Sequence, residues 1–191
     1  MKRFAQTLLL LCCAATAFAQ TPAAKPVSQN LLYEGSFSEH NHSIPYGWKE
    51  GGFAGGTHGN TTKVTEARDG NYVSLFIKKP ESANYCLNLI EPLQLKPTWK
   101  SLLCSVDIRV FNLVVGEKSF HRPRLHLSFL DEDGKEISDA GVSLSLYSEV
   151  WQTAERSIPI PIGAVSAKVW IGALSSAGQL DFRNPYIAPK Q

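Results

Sequence analysis

Leu102-Leu103-Cys104-Ser105-Val106-Asp107-Ile108-Arg109-Val110 is the stretch that decides the fold. Side chains of a β-strand point alternately to its two faces. This run therefore puts Leu102, Cys104, Val106 and Ile108 on one face, and Leu103, Ser105, Asp107 and Arg109 on the other. The same period of two returns elsewhere. Leu125, Leu127 and Phe129 alternate with Arg124, His126 and Ser128. Val165, Ala167, Val169 and Ile171 alternate with Ser166, Lys168, Trp170 and Gly172. Val73 to Ile77 is a shorter run. Leu87 to Leu95 is interrupted by Pro92, which has no N–H to give a ladder and so implies an edge or a bulge.

Turn chemistry separates these runs. Asp69-Gly70-Asn71 and Asp133-Gly134-Lys135 are hairpin signals, and Lys49 to Thr62 is a Gly-rich loop. No stretch after residue 28 has the period of a long amphipathic helix. Many short strands, each apolar on one face and polar on the other, imply an all-β sandwich or barrel. No internal repeat and no domain boundary follows residue 30.

The 191 residues suit one domain, and 43% hydrophobic residues suit a packed core. Lys and Arg number 19 against 17 Asp and Glu, so charge gives no reason to expect nucleic acid or an anionic membrane surface as partner. Lys2 and Arg3 precede a short apolar stretch, Thr7 to Phe18, that ends in Ala17-Phe18-Ala19. This is the pattern of a signal peptide over residues 1–19, cut after Ala19, and it implies a secreted or periplasmic protein. The alternative, lipidation at Cys12 or Cys13, is disfavoured by the bulky Leu11 before Cys12. Residues 20–29, with Pro22 and Pro26, read as a flexible leader. No other apolar run is long enough to span a membrane.

Asn30-Leu31-Leu32-Tyr33-Glu34-Gly35-Ser36-Phe37, followed by Pro45-Tyr46-Gly47-Trp48, resembles the opening of family 4/9 carbohydrate-binding modules. The likeness continues in order through Asp69 to Tyr72, Leu95-Lys96-Pro97, Phe129 to Gly134, Trp151, Ile160 to Ala164 and Gly178 to Asn184. It covers residues 30–188. The resemblance implies a galactose-binding-like jelly roll of two antiparallel sheets. It also implies non-catalytic binding of a poly- or oligosaccharide, often beside a glycoside hydrolase. That family often holds a structural calcium. Here the matching positions are Ser38 and Arg183, and an Arg repels a cation, so calcium is disfavoured. Arg183 could supply the positive charge itself, paired with Glu34 or Glu39. A shifted site at Asp181 and Glu39 stays open.

A sugar site needs an aromatic plate and planar polar groups. The polar strand faces offer Asp107, Arg109, Arg124, His126 and Trp170, which form one platform if their strands share a sheet. Trp170 stands out as an indole opposite the core parity, and Tyr85 and Tyr147 are candidate rim contacts. Trp48 and Trp151 read as core residues and Trp99 as a surface lid. His40 and His42 lack further ligands for a metal, and Asp131 and Asp133 read as turn residues. No nucleophile elbow or phosphate-binding loop occurs. Asp107 and Glu91 could be forced into a glycosidase pair, but Glu91 shares parity with leucines and reads as a buried acceptor. A hydrolase or its accessory subunit is thus a weaker reading, and an adhesive, protein-binding sandwich is the rival class.

Cys86 and Cys104 remain after cleavage. Cys104 shares the core parity and Cys86 opposes it. A disulfide needs Cβ atoms roughly 3.5–4.5 Å apart, so free thiols are expected, Cys104 inert and Cys86 the more reactive. Export pulls toward a bridge.

Overall fold

The computed structural model describes residues 30–32, 35–51, 59–78 and 84–190. The expected signal peptide and leader lie outside them. Eleven strands follow in chain order: β1 (Trp48–Gly51), β2 (Thr61–Thr65), β3 (Tyr72–Ile77), β4 (Asn84–Leu89), β5 (Leu93–Gln94), β6 (Ser101–Val114), β7 (Arg124–Leu130), β8 (Glu136–Ser143), β9 (Gln152–Pro159), β10 (Ser166–Leu174) and β11 (Ala177–Lys190). They form two antiparallel sheets. The first runs β1-β4-β10-β7-β8, with β5 also pairing β10. The second runs β2-β3-β11-β6-β9. The only helical turn among the described residues is a 3-10 turn at Ser119–His121. This is the expected jelly-roll sandwich.

The alternating runs meet between the sheets. Leu102, Cys104, Val106 and Ile108 of β6 are fully buried against Leu125 and Leu127 of β7 and Val169 and Ile171 of β10. Each buried aliphatic side chain contributes about 1.5–3 kcal/mol by leaving water. Tyr85 crosses this interior from the first sheet. Its Oη lies 2.7 Å from Thr62 Oγ1 in β2 and donates to Glu50 Oε1 at 2.6 Å in β1, tying the two sheets together. The expectation of Tyr85 as a rim contact is therefore corrected: it is 1% exposed and points into the core. Its phenol is raised well above its ordinary value, first by burial and then by the Glu50 carboxylate.

The opening motif has a structural reason. Asn30 Oδ1 accepts from the backbone N–H groups of Leu32 and Ile187, and its Nδ2 donates to Pro185 O, so it fastens the chain's entry to β11. Phe37 is fully buried and meets the Trp48 ring edge-on at 6.0 Å. The hairpin signals also fold as read. In the β7–β8 turn Asp131 Oδ1 accepts from the N–H groups of Asp133 and Lys135. Pro92 falls in the break between β4 and β5. That break takes Glu91 out of the ladder, and Glu91 is exposed, not the buried acceptor its parity suggested.

Cys86 and Cys104 are both free thiols. Cys104 lies in the core. Cys86 faces outward from the first sheet, yet it is only 1% exposed, because Gly51 and Asn88 cover it: Sγ lies 3.4 Å from Gly51 O. Burial pushes the thiols up to about 11 and about 12, so the expected reactivity of Cys86 is corrected as well.

Candidate functional site

The outward face of the first sheet is a grid set by strand register. One row runs Lys49, Asn88, Trp170, His126 and Gly141 across β1, β4, β10, β7 and β8. The next runs Gly51, Cys86, Gly172, Arg124 and Ser143. Lys168, Ser128 and Asp139 form a third. Trp170 and His126 are direct cross-strand neighbours, and their rings stack at 4.5 Å with 26° between planes. Both are buried, 4% and 8% exposed.

The flanking polar side chains lie down on the sheet. A Cβ added at Gly51 would run into the Asn88 amide, and one added at Gly141 would meet Arg124 Cδ at 3.0 Å. Glycine at these two places leaves room for a planar amide and a guanidinium stem to lie flat on either side of the ring pair. Arg124 is held there by its own donors, Nη2 to Ser119 O at 2.6 Å and Nε to Arg122 O at 3.1 Å. His126 Nε2 lies 3.7 Å from Asp139 Oδ2, and Nδ1 is buried with no hydrogen-bond partner among the described residues. Burial pulls the imidazole down to about 4, and nearby Arg124 adds to that, against the opposing pull of Asp139. At neutral pH the ring is therefore uncharged.

Asp107 and Arg109 are not part of this face. They sit on β6, in the second sheet, and point outward on the opposite side of the molecule. The single platform expected from parity is thus two separate faces. On the second, Arg109 Nε pairs with Asp181 Oδ2 at 2.7 Å, and its guanidinium lies 4.6 Å from the Tyr72 ring and 4.4 Å from Trp151. Arg183 covers Trp151 at 4.3 Å and pairs with Asp69 at 2.6 Å and Asp107 at 3.4 Å. So Arg183 does neutralise acids, but Asp69 and Asp107 and not Glu39; Glu34 lies outside the described residues. Asp181 is fully buried, and Oδ1 accepts from Ser74 and Gln179. The carboxylate proposed for a shifted calcium site is filled by protein donors. Trp151 is half-buried on this outer face, not a core residue, whereas Trp48 is in the core. Trp99 is half-buried and packs against the core; Tyr147 does the same, with its Oη donating to Pro123 O.

Guanidinium groups already cover the aromatic rings of the second face. The first face keeps its ring pair between the Asn88 amide and the Arg124 side chain, with the Asp139 carboxylate at the edge. Sequence reasoning missed Asn88 and Asp139 there. Asn88 was within reach, since it lies two residues from Cys86 and shares its outward parity. Asp139 lies on an edge strand that carries no apolar alternation to announce its register.

No family model matches the chain, and no curated protein matches it. Solved structures do. A module described as CBM4 superposes with a TM-score of 0.53 at 16% identity, over 83% of this chain and 99% of that one. The CBM22-1 xylan-binding domain of Paenibacillus barcinonensis Xyn10C gives 0.54 at 12% identity, over 81% and 90%. The enzymatically active domain of tailspike protein 4 of bacteriophage CBA120 gives 0.56 at 12% identity, over 84% of this chain but only 21% of that one. The class these define is the jelly-roll β-sandwich shared by carbohydrate-binding modules. At such identities the likeness establishes the fold.

Proposed function

We propose that this protein binds a poly- or oligosaccharide without altering it, as a member of the family 4/9 carbohydrate-binding modules, through the outward face of the first sheet. The observation that carries the reading is the stacked Trp170–His126 pair flanked by the flat-lying Asn88 and Arg124. With the ring pair itself buried, the planar hydrogen-bonding groups fixed beside it are what this face offers to the equatorial hydroxyls of a pyranose. The exposed rim of Lys49, Lys168, Asp139 and Ser143 meets a ligand first. The sandwich likeness to carbohydrate-binding modules supports the same reading. Export and association with a glycoside hydrolase belong to this proposal, the first from the N-terminal segment and the second from the resemblance. A protein-binding module would present a flat apolar patch here, and the face is polar.

A glycan array tests this. At least one polysaccharide should be retained by the wild-type chain, and retention should fall at least tenfold, about 1.4 kcal/mol, in Asn88→Ala and Trp170→Ala. Circular dichroism confirms that each variant is folded. Silence across the array, or binding untouched by Asn88→Ala, contradicts it.

A further inference from the structure

The second sheet also shapes a hollow, and a register fault in its central strand makes it. β11 lies between β3 and β6. Its pairing with β6 steps from Arg183 opposite Asp107 to Tyr186 opposite Ser105, three residues against two. The extra residue is a β-bulge, which bends a strand and re-aims its side chains. Asn184 adopts φ +50°, a left-handed conformation that Asn tolerates better than most residues. Pro185 follows, at a point with no ladder partner to miss its N–H. Beside this bulge opens a hollow of about 540 Å³, within the usual range of small-molecule sites. The entering chain lies against the same place. A Cβ at Gly35 would come within 2.7 Å of Pro185 O, so only glycine permits that approach.

We propose that this hollow is a second ligand site and takes a neutral, polyhydroxylated ligand, on the face of the molecule opposite Trp170. The lining offers carboxylates from Asp107 and Glu155, hydroxyls from Ser105, Thr153 and Tyr186, and the Asn184 amide. Sugar hydroxyls donate to the first, and exchange donor and acceptor roles with the others. Asp107 is fixed in advance: Thr153 Oγ1 donates to it at 2.7 Å and Asn184 Nδ2 at 2.9 Å. Such preorganisation lowers the ordering cost of binding. No Lys or Arg lines the hollow. A phosphate, sulfate or uronate would meet two carboxylates, and the guanidinium beside them, Arg183, is already paired with Asp107 and Asp69. A bare cation is also poorly served, because Arg183 Nε sits 3.4 Å from Asp107. This inference stands apart from the reading of the first face, and each can fail alone.

Backbone amide shift mapping on the full chain tests it, with xylohexaose, cellohexaose and mannohexaose as neutral probes and an oligogalacturonate of equal length as the acidic one. At least one neutral hexamer should shift the amides of Ser105, Thr153, Glu155 and Asn184 saturably. The effect should persist in Trp170→Ala and weaken at least tenfold in Asn184→Gly, which keeps the left-handed backbone, and in Thr153→Val. No saturable shift from any neutral probe, or equal shifts from the oligogalacturonate, overturns the proposal. Signals of Lys49, Asn88 and His126 report the first face separately.

Discussion

His126 couples the candidate face to pH. Its imidazole falls to about 4 in the folded chain from an ordinary 6.5, with Asp139 and Arg124 the charged groups facing it. Between those values the unfolded chain carries a proton that the folded chain does not. Stability is therefore full above about pH 6.5, declines as pH falls toward 4, and loses on the order of 3 kcal/mol from this group. Urea unfolding at pH 7 and pH 4.5 should show that slope, and His126→Gln should flatten it; an unchanged slope would assign the acid sensitivity elsewhere. On the other face, Asp181→Asn removes the charge partner of Arg109 inside a fully formed network. Breaking such a pair should cost about 3 kcal/mol in chemical denaturation. A loss below 1 kcal/mol would mean that aromatic stacking alone holds Arg109. Alkylation mapped by mass should find Cys86 and Cys104 unmodified in the native protein at pH 8 and both modified after denaturation without reductant; an S–S linked peptide would contradict the free thiols.

Elements show where local reading stops. The parity of β6, β7 and β10 was legible, because alternation is a property of each strand by itself. Which sheet a strand joins is not. Asp107 and His126 both face outward, as read, but β6 pairs with β11 and β9 while β7 pairs with β10 and β8. Nothing between residues 102 and 130 encodes that separation; it arises from long-range pairing with the C-terminal strands. Glu91 was misread because it falls in the break at Ile90 to Pro92, outside the ladder, although Leu87 and Leu93 on either side keep the same inward phase. Trp151 was misread because its packing partners, Arg109 and Arg183, come from distant strands. Gly172 shows how tightly β10 is pressed against β4: a Cβ there would lie 2.6 Å from Tyr85 O and 2.8 Å from Cys86 Cβ. Gly172→Ala should destabilise the domain by about 2 kcal/mol or more, since neither its backbone angle nor the space suits a side chain. An unfolding midpoint equal to wild type would show that the two strands can part without cost.

At the scale of the molecule, one core supports two outward faces with different chemistry. The second face pairs its cations internally on aromatic rings and carboxylates. The first keeps a neutral imidazole stacked on an indole, with polar planes laid flat beside them. Sugar binding on the first face is the central claim, and the most direct test is a calorimetric titration with whichever glycan an array identifies, comparing Asn88→Ala and His126→Ala with Trp151→Ala. The account expects at least a tenfold loss of affinity in the first two and little change in the third. Equal affinity in all three, or a loss confined to Trp151→Ala, would contradict it.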